Sequence, residues 1–284
     1  MAQAEVLPEV TKFLEAPKML IGGKPTDATR GGTFETIDPS TGKAFAEVPR
    51  GGVEDIDAAV AAAREAFEDR RWSSLRPGKR TEILYKLGEL IKRNISELAQ
   101  LEALDSGKPV SMAQGEMWVA GDVFRYYAGW PTKFFGETNP SDDNSFIFTV
   151  REPVGVCGGI IPWNFPLIMA SWKVAPALAF GNSIVLKPAE QTPLTALRLA
   201  ELCLEAGVPD GIVDVLNQSI GNAGGSPWIS SGSPMMSATR MRGLSELNGS
   251  WKTTCISRRS GRIASRSAAE MSRPPKRMAP SLFP

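Results

Sequence analysis

One short stretch, IIPWNFPLIMASWK at residues 160–173, contains a side chain that could stabilise a negative charge. Asn164 stands between Pro162 and Pro166, after an apolar run typical of a buried strand and before a run typical of a helix. A carboxamide N–H can donate to an oxyanion that forms during a reaction, and a preorganised donor accelerates such a reaction strongly. The alternative is an ordinary turn in which the side chain bonds to nearby backbone. Taken alone, the residue favours the turn.

A second candidate site is the tetrapeptide KPAE, in which a lysine ends an apolar strand and a glutamate begins the next helix. Lys187 and Glu190 could each bond to hydroxyls of one ribose, with Pro188 and Ala189 between them. The carboxylate of Glu190 would repel a ribose 2′-phosphate and thus favour NAD over NADP. The alternative is a solvated ion pair near a helix start. The usual Gly-x-Gly-x-x-Gly fingerprint of dinucleotide binding follows none of the predicted strands.

An apolar stripe follows Asn164 on the predicted helix. Phe165, Met169 and Trp172 are spaced four and then three residues apart, which places three bulky side chains on one helical face. Such a face usually packs into a core, but it could equally line an apolar substrate tunnel. The spacing leaves both interpretations open.

The sequence has no histidine and three cysteines, which narrows the chemistry. Without histidine, a Ser-His-Asp triad, a histidine zinc site and a histidine general base are excluded, and no metal site is predicted. Cys157 and Cys203 lie within apolar runs and are expected to be structural. Cys255 has cationic neighbours that could lower its pKa, but a nucleophile also needs a fixed base and pocket, which its surroundings do not predict.

Bulk composition indicates an ordinary globular chain, with 42% hydrophobic residues among 284 and a formal net charge of +1. No apolar run is long enough to span a bilayer and the first residues lack a secretory pattern, so we expect no membrane and a cytoplasmic location, with an organelle matrix left open. Residues 218–284 differ, with ten Lys and Arg against two Glu. We expect this basic tail to be poorly folded and, for want of a docking motif, not to bind nucleic acid.

Regular patterns upstream predict the elements that would position these residues. Apolar and polar residues alternate around Gly and Pro at residues 19–49, which predicts hairpin strands. A 3.6-residue period predicts a helix from Val53 and one long helix from Pro77 to the DSGKP stretch at 105–109. The aromatic-rich stretch over 117–130 is predicted to form a third helix. Residues 145–150, SFIFTV, are predicted to form a short strand.

From residue 154 onward the predicted order is strand, helix, strand, helix, strand. The strands are VGVCGGII at 154–161, NSIVLKP at 182–188 and GIVDVLN at 211–217. Strands that alternate with helices form parallel sheets, so we predict an α/β fold with a Rossmann-like parallel sheet. Asn164, Lys187 and Glu190 all follow strand ends, so we expect them at the carboxyl edge, where such sheets bind ligands.

Several long motifs resemble the NAD(P)-dependent aldehyde dehydrogenase family over residues 18–217. They are VREPVGVCGGIIPW, PWNFPLIMASWK, ALAFGNSIVLKPAEQTPLTALRLAELCLEAGVPDGIVDVLN, IDPSTGKAFAEVP, AVAAAREAFE, LEALDSGKPV and FRYYAGW. Members of this family oxidise an aldehyde to a carboxylic acid with NAD, or with NADP, as hydride acceptor. The resemblance therefore implies that activity, a small-molecule aldehyde as substrate, and assembly into a homo-oligomer.

The resemblance also assigns roles to individual residues. It implies that Asn164 is the side-chain oxyanion donor and that Lys187 and Glu190 hold the adenosine ribose of the cofactor. The cofactor-binding wall would consist of Ile160, Ile161, Pro162 and Trp163, with Asn164, Pro188 and Ala189 beside it. The aldehyde tunnel would be lined by Phe165, Met169 and Trp172.

The family pattern is expected to end at Asn217. Beyond it the sequence has no counterpart of the Gly-Ser-Thr turn at the cofactor, the glutamate of a LELGGK-like run, or the GQ-x-C cysteine. We expect a cofactor-binding domain at 18–139 and 155–217, an oligomerisation strand region at 140–154, an N-terminal extension at 1–17 and a disordered tail outside the family at 218–284. The expected function is a catalytically incomplete aldehyde dehydrogenase, and the alternative is a non-catalytic nucleotide-binding fragment or pseudo-subunit.

Overall fold

Helices cover both faces of one mixed sheet. The computed structural model describes residues 6–140 and 146–217, together with the backbone of residues 254–255. The helices are α1 (Pro8–Glu15), α2 (Val53–Glu68), α3 (Pro77–Arg93), α4 (Ile95–Ser106), α5 (Val110–Ala128), α6 (Pro166–Ala179) and α7 (Leu194–Ala206). The strands are β1 (Met19–Ile21), β2 (Lys24–Thr26), β3 (Thr33–Asp38), β4 (Lys43–Pro49), β5 (Thr138–Asn139), β6 (Ile147–Phe148), β7 (Val156–Ile160), β8 (Ser183–Lys187), β9 (Val213–Val215) and β10 (Thr254–Cys255).

The main sheet has the strand order β10-β7-β8-β9-β1-β2. Strands β7, β8 and β9 are parallel, whereas β1 and β2 extend the sheet antiparallel on one side and β10 pairs antiparallel with β7 on the other. Helix α6 connects β7 to β8, and α7 connects β8 to β9. The predicted βαβαβ unit and the Rossmann-like α/β fold are therefore confirmed, within a sheet that is mixed as a whole.

The central strand β8 is buried along its whole length because helices cover both of its faces. Successive side chains of a strand point to opposite faces. Val185 accordingly belongs to the same buried cluster as Ile56 and Val60 of α2. Ile184 and Leu186 belong to the larger cluster that includes α6 and α7. Packing on both faces thus fixes where the carboxyl ends of β7 and β8 lie.

The prediction of one long helix from Pro77 is wrong, because the structure has two helices, α3 and α4, that meet at Asn94. The side-chain amide of Asn94 donates to the Leu90 carbonyl at 2.8 Å, and the Asn94 carbonyl accepts from the N–H of Leu98 at 2.9 Å. Asparagine forms such local bonds in competition with the regular helix ladder. The apolar period continues on both sides of Asn94, so periodicity alone does not reveal the break between the two helices.

The shorter predicted elements are also present. Strand β1 pairs with β2, and β3 pairs with β4. The strand expected at residues 145–150 is present as β6, which pairs with β5, while Ser145 lies outside the described residues. Within the expected N-terminal extension, α1 packs against α4: Val10 is fully buried, and the N–H of Leu7 donates to Gln100 Oε1 at 2.9 Å.

The expectation of a poorly folded tail falls outside the described residues, apart from the two-residue strand β10. The domain boundaries within the chain stay predictions. None of the helices in the described ranges is both long enough and apolar enough to cross a membrane. In those same ranges, no three His, Cys, Asp or Glu side chains come together as ligands for a metal ion.

Candidate cofactor and substrate site

Strands β7 and β8 end side by side and bring the two candidate motifs to one edge of the sheet. Ile160 is in register with Lys187, and the N–H of Ile161 donates to the Lys187 carbonyl at 3.1 Å. Asn164 follows in the turn before α6. Glu190 lies in the turn between β8 and α7 and precedes that helix, rather than beginning it as predicted. All three polar side chains therefore belong to the carboxyl edge.

Lys187 is a buried cation at this edge. The residue is 5% exposed, and its Nζ donates to the Pro188 carbonyl at 3.1 Å. Burial lowers the pKa of Lys187, while the negative charge of Glu190 raises it. An ammonium group has three N–H donors, so the bond to Pro188 leaves donors for the hydroxyls of a ligand. Ala189 is half-buried and continues the edge toward Glu190.

The four residues predicted to form the cofactor wall differ in exposure. Ile160 and Trp163 are 53% and 60% exposed, so both present apolar surface at the edge. Pro162 is half-buried, whereas Ile161 is buried in the core. The two isoleucines differ because successive side chains at a strand end point to opposite faces. A flat ring could rest on Ile160 and Trp163, but the side chain of Ile161 is turned away from it.

Asn164 is half-buried, and its backbone is held by a residue distant in the sequence. The Asn164 carbonyl accepts from Lys108 Nζ at 3.2 Å. Within the described residues, no hydrogen bond occupies its side-chain amide. The local turn bond considered as the alternative is thus not formed, and the amide is available to a ligand.

Lys108, which sequence reasoning did not identify, lies in a buried cluster of charges next to Asn164. Its Nζ is 2.6 Å from Glu116 Oε2, 3.3 Å from Glu102 Oε1 and 5.1 Å from the centroid of the Phe165 ring. The other carboxylate oxygen of Glu102 accepts from the Thr195 hydroxyl at 2.8 Å. Burial raises the pKa of Glu102, while the charge of Lys108 lowers it. The cluster therefore connects the end of α4 with the starts of α6 and α7.

A cavity of about 500 Å³ has walls from both α5 and α6. Of the three residues predicted for the aldehyde tunnel, Trp172 lines it, whereas Met169 is buried in the core and Phe165 is half-buried against that core. Sequence reasoning missed the α5 residues, although their spacing of three and four positions puts them on one helical face. The aromatic content of that face was the feature that could have identified them. The cavity is lined by Val119, Asp122, Val123, Tyr126, Tyr127 and Trp172.

The two cysteines in residues 6–140 and 146–217 are both buried. Cys157 lies in β7, and Cys203 lies in α7. Burial raises the pKa of Cys203 far above that of an exposed thiol, so it stays protonated at neutral pH. Both positions fit the structural role expected from the sequence. The side chain of Cys255 lies outside the described residues.

A Rossmann-like sheet with a buried lysine, a carboxylate and exposed apolar side chains at its carboxyl edge has the architecture of a nucleotide-binding α/β domain. The model of the aldehyde dehydrogenase family matches residues 26–238. The chain belongs to the aldehyde dehydrogenase family. The match continues past Asn217, the residue at which the resemblance was expected to end.

Individual relatives agree with this assignment. The mitochondrial benzaldehyde dehydrogenase of Antirrhinum majus is 49% identical over 201 residues, which are 70% of this chain and 38% of that protein. The NAD+ complex of an aldehyde dehydrogenase from Bacillus cereus is 48% identical, with a TM-score of 0.75 over 77% of this chain and 45% of that chain. An NADP dependent enzyme from E. coli is 36% identical, with a TM-score of 0.70 over 72% of this chain and 43% of that chain. This chain therefore spans less than half the length of these relatives.

Proposed function

We propose that this chain contributes the cofactor-binding part of an enzyme that oxidises an aldehyde to a carboxylic acid with NAD or NADP. The observation that carries the proposal is the convergence of Asn164, Lys187 and Glu190 at one edge of the sheet. Membership of the aldehyde dehydrogenase family supports the reaction class. The second candidate is a non-catalytic fragment or pseudo-subunit that binds the nucleotide at the same edge without turnover. It is favoured by the burial of both described cysteines.

The side chains at the edge suit a dinucleotide. Lys187 Nζ would donate to one ribose hydroxyl, and the carboxylate of Glu190 would accept from another. Ile160 and Trp163 offer exposed apolar surface that would hold the rest of the cofactor. When bound, NAD or NADP supplies the hydride acceptor. The negative charge of Glu190 disfavours a 2′-phosphate, so we infer a preference for NAD.

We assign Asn164 as the donor to the developing oxyanion. In aldehyde oxidation, the carbonyl oxygen gains negative charge when a nucleophile adds to the carbonyl carbon. A donor that is already in position at that moment stabilises the charge without a cost of reorganisation. The free side-chain amide and the anchored carbonyl of Asn164 are the features that support this role.

The cavity between α5 and α6 suits an apolar aldehyde. Tyr126, Tyr127 and Trp172 give it aromatic walls. Aromatic faces attract cations, so the cavity would also admit a cationic aminoaldehyde. However, Asp122, the carboxylate in the lining, is already paired with Lys92 at 2.6 Å. We therefore favour aromatic and aliphatic aldehydes over cationic ones.

Replacing Glu190 with Gln is expected to weaken NAD binding about tenfold, because a hydrogen bond from ribose to a charged acceptor becomes a bond to a neutral one. The same change is expected to narrow the difference between NAD and NADP, since the repulsion of a 2′-phosphate is removed. Isothermal titration calorimetry with each cofactor measures both effects. Glu35→Gln, at an exposed position on β3, is the matched control and should leave both affinities unchanged. Equal NAD affinity for Glu190→Gln and wild type would exclude the ribose assignment.

We also propose that the hairpin of β5 and β6 joins a second copy of this chain. Phe146 and Phe148 are 69% and 58% exposed, with ring centroids 5.7 Å apart, and Val150 beside them is exposed as well. Contiguous apolar surface of this kind marks an interface. Phe148→Asp is expected to convert the assembly into monomers in sedimentation velocity, whereas Met112→Asp, an exposed position on α5, should not. A wild-type chain that sediments as a monomer at every concentration would contradict the proposal.

A further inference from the structure

We propose that Lys108 is a positioning residue that holds the Asn164 carbonyl. Through this contact, Lys108 sets the orientation of the Asn164 side-chain amide relative to the turn that contains Lys187 and Glu190. The inference deepens the proposed function and rests on it, because Asn164 acts on a substrate only if it is the oxyanion donor. Three sets of contacts support it, and they concern the start of α6, the surroundings of Lys108 and the start of α7.

The turn that carries Asn164 receives little support from α6 itself. Phe165, the N-cap of α6, makes no side-chain capping bond, and Pro166 at the first helical position has no N–H. The Asn164 carbonyl precedes the helix and accepts from Lys108 Nζ at 3.2 Å. The same ammonium is 5.1 Å from the centroid of the Phe165 ring, within the range of a cation–π interaction. Lys108 therefore contacts both residues directly before Pro166.

Lys108 is held more firmly than an ordinary lysine. Its side chain is 10% exposed, and carboxylate oxygens of Glu116 and Glu102 lie 2.6 and 3.3 Å from its Nζ. Its backbone lies between Gly107, which ends α4 with a φ of 73°, and Pro109, which is the N-cap of α5. The two carboxylates hold the ammonium, and Pro109 restricts the backbone of the residue before it, which is Lys108. The position of the Asn164 carbonyl therefore depends on the position of α4, through Lys108.

The same stretch of α4 also holds the start of α7. Glu102 accepts from the Thr195 hydroxyl at 2.8 Å, and Asp105 accepts from the N–H of Leu194 at 2.9 Å. Helix α7 follows the turn that contains Glu190, whereas Lys108 anchors the turn before α6. Helix α4 and the lysine after it therefore bridge both strand-to-helix turns of the proposed site. The separation of the two turns therefore depends on these contacts as well as on the pairing of β7 with β8.

The test compares Glu116→Gln with the double variant Lys108→Met/Glu116→Gln. The single variant keeps the bond from Lys108 to Asn164, whereas the double variant removes it without leaving Glu116 as a buried, unpaired charge. The readout is the NMR signal of the Phe165 amide, which shares a peptide bond with the Asn164 carbonyl, in protein isotope-labelled at phenylalanine nitrogen. We expect this signal to shift in the double variant only. NAD affinity by calorimetry should fall about tenfold from the single to the double variant.

Lys86→Met is the matched control, because Lys86 Nζ also donates to a carbonyl near a helix end, that of Glu205, at 2.7 Å. It should change neither the Phe165 amide nor the NAD affinity. If the double variant does not fold, Lys108→Arg retains the charge and changes the geometry of the bond, so the Phe165 amide should still shift. An unchanged Phe165 amide signal in the folded variant would overturn the positioning role of Lys108. If the wild type does not bind NAD, the proposed function fails. The Phe165 amide signal still tests whether Lys108 positions the Asn164 carbonyl.

Discussion

Incubation of this 284-residue chain with NAD and aromatic or aliphatic aldehydes is expected to produce no NADH above the rate without protein. The oxidation implied by the family resemblance needs a thiolate that adds to the carbonyl carbon before hydride leaves. Cys157 is fully buried in β7, and burial raises the pKa of Cys203 in α7. Neither thiol can therefore reach and attack a substrate. Without that addition, no oxyanion forms for Asn164 to stabilise in its proposed role, and we expect the rate of the uncatalysed reaction.

NADH absorbance during the incubation measures this outcome, and calorimetry on the same preparation reports whether NAD still binds. Cys255→Ala is the informative variant, because the side chain of Cys255 lies outside the described residues. Cys203→Ala is the matched control for loss of a buried thiol. Turnover in the wild type that Cys255→Ala abolishes and Cys203→Ala retains would overturn the prediction. It would also make the segment around Cys255 part of the active site.

Replacing Trp72 with Ala is expected to lower the free energy of unfolding by about 3–5 kcal/mol, the usual cost of truncating a buried aromatic side chain. Trp72 is 1% exposed in the turn between α2 and α3, and its Nε1 donates to the Leu178 carbonyl at 2.9 Å. The change leaves a cavity in the main core and removes one of the donors to the Leu178 carbonyl, which keeps its bond from the N–H of Gly181 at 3.0 Å. Leu178 lies near the end of α6, the helix whose first turn follows Asn164. The lost contact is therefore one that anchors this helix.

Urea unfolding followed by circular dichroism measures the loss. Trp118→Ala is the matched control, because Trp118 is 53% exposed and Lys92 Nζ lies 3.8 Å from the centroid of its ring. That variant should lose less than about 1 kcal/mol. Trp72→Phe retains most of the ring volume and should lie between the two. Similar losses for Trp72→Ala and Trp118→Ala would mean that the turn before α3 does not anchor α6.

Features that depend on near neighbours in the chain were predictable from the sequence. A 3.6-residue period identified α2 and α3, because one face of each helix must be apolar to be buried. Pro162 and Pro166 marked the turn around Asn164, because proline suits a strand end and a helix start. The alternation of strands and helices predicted the parallel unit. It also predicted the common edge of Lys187 and Asn164, since parallel strands all end on the same side.

Burial and long-range contacts were decided only by the tertiary structure. Ile160 is exposed and Ile161 buried, although both were predicted to form one wall. The residues of α5 became part of a cavity only because α5 packs beside Trp172. Lys108 and Asn164 are separated by 56 positions, so their bond leaves no period or motif in the sequence. A local pattern can determine which face of an element is apolar, but the partner of a buried polar side chain depends on how the elements pack.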